Sequence, residues 1–540
     1  MTATTIIAAP APSDRPRRHL NGHATTVAGL AIVVGLWELI ARTALDGKHL
    51  IAPPSGIVSA AVDNWNLYQR AVRYTLSEAA WGFLWGNLAA VALASVVAVL
   101  PFTERVTLRI SLVVFCLPLV ALGPTLRVIY GYGNGPQITL SALGVFYTTL
   151  VPLLVGLRAV PEAWSDLVAS YGRGRLTTLR TVRLRASIPY LVAGLQVAAP
   201  AAFLGALVGE FTGAERGVGV LTINAMRALR TNELWALATI SALVSMTGYV
   251  LAGLLGRRLA VGQPVILLAA PPARAARRGP TRVVRAVVEL VLTVGIALAL
   301  WEGAMRLFDL NRYFAKRPGD VWEWLVSGSN ASANRTEIAD ALGSTAQIAI
   351  PGYVLGLLVG TLVAAAFDLS DSVRRTVTPF AVALRCVPIV AIAPLLVQAF
   401  GRGVPGTIAT VAILTFFPTL VACSQGLRQT PGQVLDFYAV YDVSRVRTLA
   451  SAQIPAMVPA FFAAARIAVP ATLLAATVAE WLATGTGTGN LMALSAANGR
   501  WGTLWSCTVV LTVIASVAYG AVAFLERVVL TRVAPEQLSW

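Results

Sequence analysis

Charge is what this 540-residue chain has least of. Only 12% of its residues are charged, 56% are hydrophobic, and the mean hydropathy is +0.71. A soluble domain is about a quarter charged, so an aqueous surface is excluded for most of this chain. Lysine is almost missing, with Lys48 and Lys316 as its two representatives. Neither completes a nucleotide-binding G-x-x-x-x-G-K-[ST] loop, because His49 and Arg317 follow them. Histidine is limited to His19, His23 and His49 near the N-terminus, and no CxxC pair exists. With no His, Cys or acid cluster at catalytic spacing, the expectation is a protein that is not an enzyme and holds no metal. Cys116, Cys386, Cys423 and Cys507 lie inside or at the start of apolar runs, where cysteine acts as a small packing residue.

What is present is apolar sequence in lengths of about 20 residues, the length that crosses a bilayer core. The runs fall at 25–43, 79–100, 110–130, 137–157, 188–209 and 234–255, and again at 286–305, 346–367, 377–400, 407–427, 457–479 and 505–525. Backbone polar groups in lipid must be satisfied within the segment, so these runs are expected to be helices. The fold class is therefore all-α: a polytopic membrane protein of about twelve transmembrane helices in two parallel six-helix repeats. The polar stretch 1–23 is expected to be a disordered cytoplasmic tail. The run after it is too long for a signal-peptide core and is expected to be retained as the first helix.

The net charge of +17 is almost all arginine. In a soluble protein this would suggest nucleic acid; beside lipid it reflects positive cytoplasmic loops, and no nucleic-acid partner is expected. Arg15, Arg17 and Arg18 put the N-terminus inside. Counting crossings puts loop 158–187 inside as well, with Arg158, Arg173, Arg175, Arg180, Arg183 and Arg185 against Glu162 and Asp166. The connection 256–285 has arginines and no acid, plus Pro271, Pro272 and Pro280. Loops 210–233 and 309–344 are balanced in charge and fall outside. The expected organisation is a six-helix membrane unit at 24–258, a basic cytoplasmic linker at 259–282 and a second six-helix unit at 283–540, both in the plasma membrane.

The two units are copies. At a spacing of 270 residues, Thr75, Gly82 and Gly86 match Thr345, Gly352 and Gly356. Cys116, Pro118 and Pro124 match Cys386, Pro388 and Pro394, and Gly156-Leu157-Arg158 matches Gly426-Leu427-Arg428. Asp166, Tyr171, Pro189, Pro200, Glu210 and Gly219 match Asp436, Tyr441, Pro459, Pro470, Glu480 and Gly489. The Gly-x-x-x-Gly pairs point to close helix packing.

The inner loop is the most informative stretch. Asp166 precedes Gly172 by six residues, which is capping polarity for a short helix. Val182-Arg183-Leu184 follows ten residues after the Gly, and Pro189 opens the next membrane helix. In the second copy Asp436 is the acid, Asp442 stands where the Gly was, and Ala452-Gln453-Ile454-Pro455 and Pro459 follow. This spacing resembles the EAA motif of permease subunits of ATP-binding-cassette importers, although Arg185 and Asp442 each replace a consensus residue. The glycine-rich turns after Glu210 and Glu480 also resemble the subgroup that imports nitrate, taurine and other sulfonates, and some vitamin precursors. The resemblance implies the type I importer permease fold, two permease domains fused in one chain, and alternating access. It implies that Asp166, Tyr171, Gly172, Leu184 and Pro189, with Asp436, Tyr441, Asp442, Ile454, Pro455 and Pro459, form ATPase-coupling loops. It further implies two copies of a separate cytoplasmic ATPase, an extracytoplasmic substrate-binding protein, and membrane lipid around the helices. The chain itself is expected to hold no cofactor, with ATP bound by the ATPase subunits.

Four polar residues are candidates for the translocation pathway. Glu210 and Glu480 close the fifth helix of each unit and either line a path or are solvated at the membrane edge. Gln196 and Arg466 are equivalent positions within that helix. Arg466 would suit an anionic solute, or would pair with neighbouring groups. The rival from another class is an ion-coupled secondary transporter with 6+6 helices. It would couple through buried acids, which the apolar segments contain few of, and it leaves the inner-loop motif without a role.

Overall fold

The computed structural model describes residues 32, 34–43, 51–131, 133–160, 162–258, 281–369, 393, 395–396, 400–401 and 403–533. The expected tail, nearly all of the linker, and most of the segment 377–400 with Arg385 and Cys386 lie outside the described residues.

The first unit contains α1 (34–43), α2 (Pro54–Asp63), α3 (Trp65–Val99), α4 (Glu104–Cys116), α5 (Leu119–Tyr130), α6 (Gly135–Arg158) and α7 (Glu162–Ser170). After these come α8 (Arg175–Thr178), α9 (Leu184–Phe211), α10 (Val218–Arg227) and α11 (Thr231–Arg258). The second unit has α12 (Thr281–Leu307), α13 (Pro318–Trp322), α14 (Ala331–Asp368), α15 (Val404–Leu427), α16 (Gly432–Val440), α17 (Arg445–Thr448), α18 (Ile454–Ala479), α19 (Gly487–Ala497) and α20 (Trp501–Val533). Among the described residues, 9 helical stretches are long and apolar enough to cross a membrane.

One expected span differs. The run 110–130 is apolar throughout, yet α4 and α5 meet at an angle of 89°. Pro118 sits at the break with an extended backbone (φ −71, ψ 100). Proline removes a hydrogen bond from a helix and restricts the residue before it, so a helix turns there whatever its hydropathy. The bend lets α5 run alongside the outer end of α9 instead of continuing the line of α4.

Small residues hold each bundle together, because lipid offers no hydrophobic gain for helix association and close backbone approach must supply it. A Cβ on Gly82 would fall 2.2 Å from the Ser141 side chain, and one on Gly86 2.6 Å from the Ala142 carbonyl oxygen. The second unit repeats this with Gly352 against Val411 and Gly356 against the Ala412 carbonyl. Thus α3 packs on α6 and α14 on α15 in the same register.

The units meet along α4. Glu289 of α12 receives Arg105 at 2.5 Å and Arg109 at 3.1 Å, both from α4. α20 also packs on α4 and α5.

Candidate functional site

Two features are built in duplicate, the inner loops and a clasp at the outer ends of α9 and α18, and a cavity lies between the units.

The inner loops come first in the chain. α7 ends in a turn at Gly172, with φ +69. The Gly172 N–H donates to the Ala169 carbonyl at 2.9 Å and the Arg173 N–H to that of Val168 at 3.3 Å. α16 ends in the same turn. Asp442 has φ +48, its N–H donates to Ala439 at 3.1 Å, and the Val443 N–H donates to Tyr438 at 3.1 Å. The residue that departs from the motif therefore still takes the left-handed conformation that closes a helix, one of the few non-glycine types that does so readily. Asp166 and Asp436 are both exposed, as are Trp164, Leu167 and Tyr171 in the first copy and Phe437, Val440 and Tyr441 in the second. Leu184 and Ile454 are exposed just beyond, and Pro189 and Pro459 lie inside α9 and α18, with Pro455 in the first turn of α18.

Each loop feeds one long helical element. A π-helical turn, Leu179–Arg183 or Leu449–Gln453, joins α8 to α9 and α17 to α18. The resulting spans run Leu179–Phe211 and Arg445–Leu482 without a break. At 1.5 Å per residue the 33-residue first span is about 50 Å long, enough to carry a displacement from the inner loop to the outer face.

At the outer face both spans end in a carboxylate clasp. Glu210 accepts a hydrogen bond from the Thr75 hydroxyl at 2.5 Å and from the Gly219 N–H at 2.5 Å, while the Val218 N–H donates to Thr75 at 3.0 Å. Glu480 accepts from the Gly489 N–H at 2.8 Å, and the Thr488 N–H donates to Thr345 at 2.9 Å. Gly217 (φ +120) and Gly487 (φ +82) pass so close that a Cβ on either would fall 2.1–2.2 Å from the carboxylate. This explains the glycine-rich turns. The backbone must brush past a buried acid so that the first N–H groups of α10 and α19 reach it, at the end of a helix that favours negative charge. The clasp thereby fixes α10 and α19 to α9 and α18.

α19 in turn forms a wall of a cavity of about 610 Å³. The other walls come from α5 (Val120, Pro124, Arg127), from the end of α9 (Phe211, Thr212, Gly213), from Trp481, and from Trp501 and Leu504 of α20. The cavity thus draws on both units, near the outer ends of the two long spans. Its surface is mostly apolar and aromatic. The Arg127 side chain lies along Gly213, where a Cβ would be 3.5 to 3.7 Å from its Cδ, Nη1 and Nε.

None of Gln196, Glu210, Arg466 and Glu480 lines this cavity. Glu210 and Glu480 are fully buried in the clasps. Gln196 packs on Gly253, where a Cβ would fall 2.3 Å from its Nε2. Arg466 is buried against Glu526 at 3.1 Å, with the Tyr519 ring 6.0 Å from its guanidinium carbon. Sequence reasoning passed over Glu526 because the apolar run was ended at 525, one residue short of it; α20 continues to Val533. It also passed over Glu78, buried next to Glu210, where the second unit has Ile348. Arg127 is visible in the sequence as a charge with no counterpart in the other unit. The cavity is the feature that gives it a place.

The chain matches the family model described as "Binding-protein-dependent transport system inner membrane component" twice, at residues 82–261 and 352–531, together two thirds of its length and 270 residues apart. It is 32% identical over 202 residues, 37% of this chain and 80% of the relative, to a "Probable ABC transporter permease protein" of Haemophilus influenzae. It is 31% identical over 237 residues (43% and 87%) to the riboflavin transport system permease protein RibX of Chloroflexus aurantiacus. It is also 31% identical over 148 residues (27% and 59%) to the formylaminopyrimidine transport permease protein ThiX of Halalkalibacterium halodurans. Two matches in register with the repeat, on a membrane-spanning helical scaffold, leave one conclusion: the chain belongs to the binding-protein-dependent transport system inner membrane component family, as a multi-pass permease of an ATP-binding-cassette importer with two permease units in one polypeptide.

Proposed function

We propose that this chain carries a small solute inward across the plasma membrane by alternating access, driven by two separate ATPase subunits that grip the inner loops at 162–178 and 432–448. In this reading Asp166 and Asp436 present carboxylates to basic groups on the ATPases, and Trp164, Leu167, Tyr171, Phe437, Val440 and Tyr441 fill apolar grooves there. Leu184, Pro189, Ile454, Pro455 and Pro459 pass the motion into the membrane. ATP is bound by those subunits and not by this chain. A binding protein delivers solute at the outer face.

The observation that carries the proposal is the pair of unbroken spans, Leu179–Phe211 and Arg445–Leu482. Each begins at an exposed inner loop and carries a residue of the cavity wall at its far end, Phe211 as the last residue of the first and Trp481 as the penultimate residue of the second. A push on the loop therefore moves the wall. The solute class in this reading is a nitrate- or sulfonate-like anion or a vitamin precursor, and the relatives named for riboflavin and formylaminopyrimidine support the second.

The test is the double variant Asp166→Arg with Asp436→Arg. Reversing both charges is expected to abolish co-purification of the ATPase and ATP-dependent uptake. Retention of both would overturn the coupling reading. Uptake that persists without the ATPase and collapses with an ion gradient would make the chain an ion-coupled secondary transporter instead.

A further inference from the structure

The two clasps rest on different layers of side chains. In the first unit, Ser141 of α6 is wedged between α3 and α9. A Cβ on Gly82 would fall 2.2 Å from the Ser141 Oγ, and one on Gly205 2.6 Å from the Ser141 Cα. One helical turn nearer the outer face, the same three helices bring Glu78, Gln137 and Gly209 to one level. Gln137 packs on Gly209, where a Cβ would fall 3.0 Å from its Cγ, and Glu78 lies against Glu210, the next residue of α9. A helix tilts its Cβ atoms toward its N-terminus, so Ser141 leans toward the level of Gln137.

These side chains are buried and unmet. Glu78 and Gln137 are 3% exposed and Ser141 is fully buried. Glu78 Oε2, Gln137 Oε1 and Ser141 Oγ have no hydrogen-bond partner among the described residues. The second unit has Ile348, Thr407 and Val411 at these three positions. Ile348 and Val411 belong to an apolar cluster with Ala475, and the Thr407 hydroxyl donates to the Gly403 carbonyl at 3.0 Å. The fold therefore closes this layer without stranded oxygens when packing alone is asked of it. Buried polar atoms are paired as a rule, and three unmet oxygens on two touching helices require a shared partner.

Charge says what the partner is. Glu210 is met by the Thr75 hydroxyl, the Gly219 N–H and the N-terminus of α10. Among the described residues no N–H or hydroxyl donates to Glu78. The ionisable groups around it are Glu210 on α9, Tyr68 and Tyr74 on α3, and Arg216 ahead of α10. Arg216 is exposed and donates to the Tyr74 hydroxyl at 2.9 Å. A proton would satisfy one oxygen of the layer, and a water molecule would bring two hydrogens and no charge. A hard cation serves several oxygens at once. One unmatched carboxylate takes one positive charge, and a layer packed through glycine takes a small ion. We infer that the first unit binds a single sodium ion between α3 and α6, beside the Glu210 clasp, held by Glu78 Oε2, Gln137 Oε1 and Ser141 Oγ with water completing its shell. Gln137 stands in the first turn of α6, which puts the site within reach of the outer face. The ion ties α3 and α6 to the clasp that fixes α10. This inference goes beyond the permease reading and does not depend on it.

The test uses the full chain in lipid nanodiscs without ATPase. Binding of radiolabelled sodium is measured, and thermal unfolding is followed in sodium, potassium or choline chloride at matched ionic strength and pH. One saturable sodium per chain is expected, and sodium should raise the unfolding temperature by at least ~2 °C over choline. Glu78→Ile, which installs the second unit's residue, should lose sodium binding and unfold at one temperature in all three salts. Gln137→Thr should weaken sodium binding at least tenfold and serves if Glu78→Ile does not fold. Absence of saturable binding in the parent, or binding unchanged in a folded variant, overturns the site. Unfolding that follows pH and not sodium would show Glu78 met by a proton alone and overturns it as well. Potassium bound as tightly as sodium overturns the choice of ion. Neither readout involves ATP or transport, so an overturned site leaves the permease reading standing. Equally, retained coupling in the Asp166→Arg/Asp436→Arg chain leaves this site standing.

Discussion

Arg466 and Glu526 form an ion pair within the membrane-spanning part of the second unit, 3.1 Å apart and with side chains only 6% and 3% exposed. The first unit has Gln196 and Gly256 at the equivalent places. The pair is therefore a local addition and not a requirement of the fold. Removing one member of a buried pair strands the other charge and costs about 3–5 kcal/mol, whereas removing both costs far less. Arg466→Gln and Glu526→Gln are each expected to lower the thermal unfolding temperature of the solubilised protein. The double variant should recover much of the loss, with a coupling of at least ~1 kcal/mol. Strictly additive effects would mean that the pair does not act as a unit.

The carboxylate clasp carries a second prediction. Glu480 receives the Gly489 N–H, so Glu480→Ala leaves that buried donor without its acceptor, while Glu480→Gln keeps an oxygen in place. Leaving a buried donor without its acceptor costs about 1–3 kcal/mol. Glu480→Ala should therefore destabilise the protein by about that amount and Glu480→Gln by less. Because α19 is the cavity wall, Glu480→Ala should also loosen the 487–497 segment, seen as faster hydrogen exchange there. An exchange pattern in that segment indistinguishable from the parent would show that the clasp does not position the wall.

Much of this architecture was legible in the sequence, for physical reasons that differ by feature. The duplication shows because glycine and proline mark backbone geometry, and backbone geometry is what two copies of a fold share. The expectation of twelve spans met its exception at Pro118, since hydropathy reports the solvent of a segment and not its direction. Glu210 and Glu480 stand out as matched acids. Their bonds to Thr75 and to the amides near Gly219 and Gly489 join residues more than a hundred positions apart, in the case of the threonine, and no periodicity reports that. The cavity was hidden because its walls come from α5, α9, α19 and α20, which are spread over hundreds of residues of the chain.

Asp442 stands in the second inner loop where the first has the motif glycine. The backbone does not differ: Gly172 and Asp442 close their helices with φ +69 and +48 and with matching hydrogen bonds. A left-handed residue with a Cβ costs about 1–2 kcal/mol, less for Asp or Asn, whose side chains bond locally. Gly172→Ala should thus open its turn more often, raising hydrogen exchange at the Gly172 and Arg173 amides several-fold. Asp442→Gly should leave exchange in its turn unchanged or slower. Faster exchange in Asp442→Gly would mean that the aspartate side chain, and not its backbone conformation, holds the second loop.

The same comparison singles out Leu229, which ends α10 with φ +54 where Gly499 ends α19 with φ +69. Leucine has no polar side chain to offset that conformation, and at 56% exposure it gains little from burial there. Its strain is worth about 1–2 kcal/mol. Replacing it with glycine relieves the strain but frees the unfolded chain, which costs about 0.4–1 kcal/mol. The difference favours glycine, so Leu229→Gly should stabilise the protein by about 0.5–1 kcal/mol in thermal unfolding. The reverse change has the conformational term against it and the unfolded-state term in its favour. Gly499→Ala adds a Cβ in the left-handed region, 3.7 Å from the Tyr313 hydroxyl and 3.8 Å from Trp501 Nε1, so the room exists and the cost is conformational. It should destabilise by up to about 1 kcal/mol. A Leu229→Gly variant that melts below the parent would show that the leucine side chain contributes contacts outweighing its backbone strain.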